Sequence, residues 1–313
     1  MEEFPMSILQ EHTFLSANKV NTIYVRSRLP ESPVRATVQI VHGLAEYIDR
    51  YDEFMSYLAE AGFAVYGNDH IGHGNSVHED RWGYVGEQAG WNVMLTDILT
   101  LADQVSGKHP DVPHFLFGHS MGSFLARSLL IKHPDRYDGT VICGTGHPAR
   151  AVTMGARALA AMEIKRHGPG YYSQLLDSVM NKQYNGGYEN PRTAFDWISS
   201  DPNRVDEYIA DPKCGFVPTA GLISEILKGV SFITARRNLE RMSKDVPVYF
   251  ISGAADPVGE LSQGVIRAYK AFLKAGMKDV SLKLYPDLRH EIMLETCRDE
   301  VMTDVLNWLT EHC

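Results

Sequence analysis

Hydrophobic positions along this chain follow two regimes. In the first, short runs of adjacent apolar and β-branched residues recur at 36–41, 64–66, 114–117, 140–143, 246–251 and 280–285. Such runs do not alternate, and non-alternating runs are strands buried on both faces. Helix-length segments near 49–61, 88–107, 121–132, 260–275 and 295–311 separate or follow them. Strands alternating with helices predict an α/β fold, with a mostly parallel sheet covered by helices on both faces. Residues 13–28 instead alternate with period two, with Ser16-Ala17-Asn18-Lys19 at the centre. They predict an N-terminal antiparallel hairpin, which brings the expected sheet to eight strands.

The second regime covers residues 147–240, where the alternation stops. This stretch is richer in Met, Tyr, Arg and Gly and reads as several short helices. Within it, residues 150–166 carry Val152, Met154, Leu159, Met162 and Ile164 among small residues, the pattern of one amphipathic helix. An insertion after the sixth strand of an open sheet sits above the strand C-termini, where such folds form their sites. Residues 147–240 are therefore expected to be a helical cap on a core built from 1–146 and 241–313.

Charge narrows the function classes. The 313 residues carry 30 basic and 39 acidic side chains, a formal charge of 30 − 39 = −9. That argues against nucleic acid as a partner. It also gives no general attraction to anionic membranes, so membrane contact would have to be local and apolar. The first residues, Met1-Glu2-Glu3-Phe4-Pro5-Met6, lack the basic and apolar regions of a signal peptide. Cys143, Cys214, Cys297 and Cys313 are scattered without a C-x-x-C, so neither a disulfide framework nor a zinc site is expected. A cytoplasmic location fits these features.

The chemistry is concentrated at Gly118-His119-Ser120-Met121-Gly122. This G-x-S-x-G follows the strand run His114-Phe115-Leu116-Phe117 and precedes a helix-forming segment. A sharp strand-to-helix turn there would present the Ser120 hydroxyl at the sheet edge as a nucleophile. A serine hydroxyl needs a base, and the base needs an acid to orient it. Asp256 follows the strand run 246–251 and His290 follows the run 280–285, giving the order Ser, Asp, His at three strand ends. Asp287 is a rival acid, but it reads as a turn residue too near His290 in sequence. The N–H of Met121 and that of Leu44, in the loop His42-Gly43-Leu44-Ala45-Glu46, are the expected oxyanion donors. His70 and His73 invite a metal reading, yet they sit in a Gly-rich loop without ligand spacing. A buried hydrogen-bonded loop is the expectation, and no metal or cofactor is needed.

These pieces resemble an α/β-hydrolase of the monoacylglycerol lipase and lysophospholipase group, also filed as serine aminopeptidase-like. The resemblance rests on Val41-His42-Gly43-Leu44-Ala45-Glu46-Tyr47, Arg50-Tyr51, Asp69-His70-Ile71-Gly72-His73-Gly74-Asn75-Ser76, the Ser120 pentapeptide, Ala255-Asp256-Pro257 and Arg289-His290-Glu291. It implies Ser120, Asp256 and His290 as a triad, Leu44 and Met121 at the oxyanion hole, and a mobile cap forming an apolar acyl tunnel. The expected substrate is a small acyl ester, monoacylglycerol first. Lysophospholipase and small-ester carboxylesterase activities are alternatives. The cap helix near 151–164 is a candidate for transient membrane or micelle contact, although a lid packed on the core is the plainer reading. An aminopeptidase would need a carboxylate for the substrate ammonium, for which Glu46, Glu163 and Asp196 are candidates. A catalytically silent ligand-binding member of the fold is the remaining alternative.

Overall fold

The computed structural model describes residues 7–188 and 190–313. Its N-terminal hairpin pairs β1 (Ile8–Leu15) with β2 (Thr22–Leu29). The Ser16 N–H donates to Asn21 O, and the Asn18 carboxamide accepts from Val20 and Asn21 N–H, which closes the turn. The chain continues through β3 (Ala36–Val41), α1 (Asp52–Glu60), β4 (Phe63–Asn68), α2 (Gly90–Lys108), β5 (His114–His119), α3 (Met121–Lys132) and β6 (Gly139–Cys143). Five helices follow without a strand: α4 (Arg150–His167), α5 (Gln174–Asn185), α6 (Pro202–Ala210), α7 (Ala220–Ile233) and α8 (Arg236–Leu239). The core resumes with β7 (Val248–Gly253), α9 (Gln263–Lys274), β8 (Val280–Tyr285) and α10 (Arg298–Glu311).

All eight strands form one sheet in the order β1-β2-β4-β3-β5-β6-β7-β8. Pairings from β4 through β8 are parallel; β1 and β2 add the antiparallel edge. Every residue of β3 to β7 is buried, which explains why their sequences run apolar instead of alternating. One face packs on α2, α3 and α9 through Leu95, Ile98, Leu125, Leu129 and Phe272. The other packs on α1 and α10 through Phe54, Leu58, Val301, Val305 and Leu309. Cys143 is a small buried residue in β6. Among the described residues, no helix is long and apolar enough to cross a membrane.

Three expected helices start three residues later than their hydrophobic pattern suggests, α10 at Arg298 among them. A single-turn helix at Ile48–Tyr51 precedes α1. Glu260, Leu261 and Ser262 have φ of 51°, 50° and 77°, so α9 begins only at Gln263.

The insertion is firmly capped within itself. Ser173 accepts from Leu176 N–H, Asp201 from Asn203 N–H and Thr219 from Leu222 N–H. Its second half is also stitched to the core. Ala45 O accepts both the Gly215 N–H at 3.0 Å and the Tyr208 hydroxyl at 2.9 Å. Thr219 donates to Gly83 O, and Glu225 accepts from the Trp91 N–H. Neither α4 nor α5 makes a polar bond to the core among the described residues; α4 packs on α7 through Leu159, Ala160, Ile223 and Leu227.

Candidate active site

The site lies beyond the C-terminal ends of β3, β5, β7 and β8. Ser120 sits between β5 and α3 with φ 53° and ψ −120°, a strained backbone for a residue with a Cβ. The turn holds because its neighbours come very close. A Cβ on Gly122 would lie 2.0 Å from Val41 O and 2.6 Å from His42 O. One on Gly43 would lie 3.0 Å from the Ser120 Cβ. Glycine at both positions lets the loop after β3 press against the serine turn.

The three residues expected to act together converge from their separate strand ends. His290 donates its Nδ1–H to Asp256 Oδ2 at 2.9 Å. The other carboxylate oxygen accepts the Val258 N–H at 2.8 Å, which fixes the Asp256 side chain. Asp256 and His290 are both buried, and His290 Nε2 has no hydrogen-bond partner among the described residues. Ser120 and His290 line one cavity. Asp287 is exposed with φ 61°, the turn residue its sequence position suggests. The N–H groups of Leu44 and Met121 have no acceptor among the described residues, and both residues border Ser120. Met121 opens α3, where free N–H groups favour negative charge.

Two chambers meet at Ser120, sharing Leu44, Met180, Tyr184 and Val258. The smaller, of about 80 Å³, is the more polar of the two: Glu46, His119, Asp177, Asn181, His290 and Glu291 line it beside Phe195, Trp197 and Phe216. The larger, of about 210 Å³, is lined by Phe124, Leu159, Val179, Ile223, Leu227 and Val230, mostly from the insertion.

Behind the polar chamber lies a buried charge network that the sequence did not announce. Glu46 Oε1 accepts the Gly43 N–H at 2.5 Å and the Tyr51 hydroxyl at 2.9 Å. Its other oxygen meets Arg50, and Arg50 makes a bidentate pair with Glu291 at 2.6 and 2.8 Å. His119 has Nδ1 on Glu46 Oε1 at 3.0 Å and Nε2 on His290 O at 3.2 Å. His290 O can only accept, so Nε2 carries a proton; Nδ1 faces both Glu46 Oε1 and the Tyr51 hydroxyl, at 2.9 Å, and a proton there would make the ring cationic. Burial disfavours that charge, but Glu46 outweighs burial and raises the His119 pKa. Burial would likewise raise Glu46, but His119 and Arg50 hold it well below the carboxylate range. A pairing of residue 50 with residue 291 has no local sequence signal. Glu46, Arg50, Tyr51 and Glu291 stood in the sequence only as separate motif residues.

The carboxylates considered for an ammonium are otherwise engaged. Glu46 is saturated as described. Glu163 accepts the Ser173 hydroxyl within the insertion, and Asp196 accepts from Arg192 N–H and the Thr193 hydroxyl. Asp177, overlooked in the sequence, lines the polar chamber bonded only to Asn181, with its pKa raised by burial.

His70 and His73 form a buried ring cluster with His42, with centroids 4.1 Å (His42–His70) and 5.4 Å (His42–His73) apart. The His70 N–H donates to His42 Nε2, and Asp69 ties the loop by accepting from Ile48 and Asn75 N–H. Burial holds His42 down at about 4 and His73 at about 3, so the cluster is neutral. Among the described residues no group of three or more His, Cys, Asp or Glu side chains is placed to hold a metal.

Comparison with known proteins agrees with this architecture. The family described as Hydrolase_4, serine aminopeptidase, S33, matches residues 32–297. A monoacylglycerol lipase of Mycolicibacterium smegmatis is 26% identical over 310 residues, covering 98% of this chain and 99% of its own. A mouse monoglyceride lipase is 26% identical over 297 residues, covering 93% of this chain and 87% of its own. The crystal structure of a thermostable carboxyl esterase from Bacillus coagulans, in complex with glycerol, superposes with a TM-score of 0.89 at 31% identity. It covers 97% of this chain and 98% of that one.

Proposed function

The chain belongs to the serine aminopeptidase S33 family, and on that footing we propose that it hydrolyses single-chain acyl esters, monoacylglycerols first, through an acyl-serine intermediate. The observation that carries this reading is the pair of unlike chambers meeting at Ser120. An apolar cavity of about 150 Å³ takes up benzene, so the larger chamber has room for a run of methylenes. The smaller offers polar groups to an alcohol such as glycerol. The names of the relatives from Mycolicibacterium smegmatis and mouse point to the same substrate.

In this reading residues 147–240 are the cap and Ser120 is the nucleophile. Its oxygen attacks the ester carbonyl carbon while His290 Nε2 takes the hydroxyl proton. Asp256 orients the ring and stabilises the imidazolium. The Leu44 and Met121 N–H groups receive the oxyanion. The carbon–oxygen bond to the alcohol then breaks, and His290 returns its proton to the leaving oxygen. Water, deprotonated by His290, releases the fatty acid and restores Ser120. The half-exposed Val152 and Val179 line the apolar chamber, giving a micelle or bilayer an apolar surface to meet.

A hydrolysis panel tests the proposal. Monoacylglycerols of graded length should exceed lysophospholipids, p-nitrophenyl acetate and aminoacyl amides in kcat/KM, and a fluorophosphonate should add to Ser120. A preference for aminoacyl amides would overturn it, with Asp177 then the carboxylate for the ammonium. Absence of the adduct on folded protein would leave the ligand-binding reading.

A further inference from the structure

Helix α4 has two working faces. Val152, Ala156 and Leu159 turn to the apolar chamber. Arg150, Met154 and Arg157, spaced i, i+4 and i+7, lie about half a turn away. They border a separate groove of about 1060 Å³, closed on its other sides by the end of α7, by α8 and by α9.

The groove gathers five arginines, Arg150, Arg157, Arg236, Arg237 and Arg267, against one carboxylate, Glu260. Its lining charge is thus 5 − 1 = +4 in a chain of −9. Arg267 is paired with Glu260, and Arg236 reaches Glu240 at the rim. Arg157 meets only the Ser231 hydroxyl, at 3.4 Å. Arg150 and Arg237 have no side-chain partner among the described residues. Behind the wall, Arg127 is fully buried without a carboxylate, donating to Thr145 Oγ1, Gly146 O and His147 Nδ1. The lining histidine, His147, is held down at about 3 by burial and then by Arg127 and Arg267. Both observations describe a positive field that the protein's own acids leave uncompensated.

We propose that this groove is a binding site for a small molecule carrying a diphosphate or two phosphate groups. Guanidinium forks match phosphate oxygens in pairs, and Arg150, Arg157 and Arg237, which have no carboxylate partner among the described residues, exceed what one carboxylate ligand would occupy. Arg150, Arg157, Arg236 and Arg237 are exposed, Arg236 at 89%, so their guanidinium forks can close on a small ligand from α4 and α8. The ligand would bridge α4 and α8 of the insertion to α9 of the core and relieve the repulsion among the arginines. The site does not depend on the hydrolase reading.

Isothermal titration of the full chain with inorganic pyrophosphate at low ionic strength tests it. Pyrophosphate should bind and raise the thermal midpoint, sulfate should bind more weakly, and Ser120→Ala should bind as the parent does. The double variant R150Q/R237Q removes two arginines without fold partners. It should weaken binding about tenfold or more, the worth of one charge-assisted hydrogen bond. Three results would overturn the proposal: no binding by folded protein, equal binding by the double variant, or equal binding of sulfate. So would arginine-dependent capture on phosphatidylglycerol vesicles that pyrophosphate does not displace, which would make the face a membrane contact.

Discussion

The two chambers that meet at Ser120 are built on opposite principles. The polar one is walled on one side by core loops and on the other by the insertion, and the acids of its core side are tied to partners: Glu46 to Gly43, Tyr51, His119 and Arg50, and Glu291 to Arg50. The apolar one is framed by α4, α5 and α7, which contribute Leu159, Val179, Ile223 and Leu227 without directional bonds. A buried ionic network has one good geometry, because a misplaced charge costs several kcal/mol, about 3–5 when a partner is lost. An aliphatic wall tolerates many arrangements of similar volume. On the proposed reading, geometry-critical chemistry would therefore sit on the rigid side and selectivity on the adaptable side.

Substitutions on the two sides should separate in kind as well as size. Asp256→Asn keeps the shape of the His290 contact but favours the wrong ring tautomer. It should lower kcat by about 10⁴ for every ester, in steady-state assays across chain lengths. Glu46→Gln weakens the acceptor that holds Gly43 and the partner of Arg50. We expect kcat to fall about 10²-fold, the scale of one oxyanion donor, with KM for short esters little changed. Equal activity would show that the loop holds its shape without the charge. On the apolar side, Ile223→Phe should lower kcat/KM for long-chain monoacylglycerols about tenfold relative to short ones, the worth of roughly a methylene or two. A uniform loss over all lengths would break the division between the chambers.

Acid should act mainly through the buried histidines. His42 is held at about 4, and His73 and His114 at about 3, by burial. Their unfolded values lie near 6.5. The unfolded chain then binds more protons between about pH 3 and 6.5, so stability falls as pH falls through that window. Asp69, raised to about 7 by burial, works in the opposite sense, as do His119 and Asp177, both raised, while His70 and His147, both lowered, side with the three. Urea midpoints at pH 7.5, 6 and 5 should decline in that order; a flat series would show that the cluster takes up protons without cost.

Much of this organisation could be read in the chain. The buried runs around Val38, Phe115 and Phe250 marked strands because β-branched and aromatic residues without alternation have few other uses. Ser120, Asp256 and His290 were legible because each follows such a run. Residues that act through distant pairing were not. Arg50 and Glu291 are 241 positions apart, and neither is unusual in its own segment. The chamber wall was equally opaque. Leu159 and Ile223 read as ordinary apolar helix positions, and only the third dimension shows that they leave a space between them. The delayed start of α9 escaped for a local reason, since Glu260, Leu261 and Ser262 are not residues whose type demands positive φ.

The carbonyl of Ala45 works as a rivet. It holds Gly215 and Tyr208, so the rear half of the insertion is fastened beside the loop that carries Leu44. The insertion therefore cannot swing as one door without pulling on that loop. The front leaf, α4 and α5, has no such fastening along its helices among the described residues, the nearest being the Tyr188 hydroxyl on Ala255 O at 2.7 Å beyond α5, and on the proposed reading it would be the moving part. Hydrogen exchange should show amides of α4 and α5 exchanging well before those of α7. On that reading the entrance would gape and shut while the loop at Leu44 stays in register, so traffic through the door and the timing of the chemistry would be mechanically uncoupled.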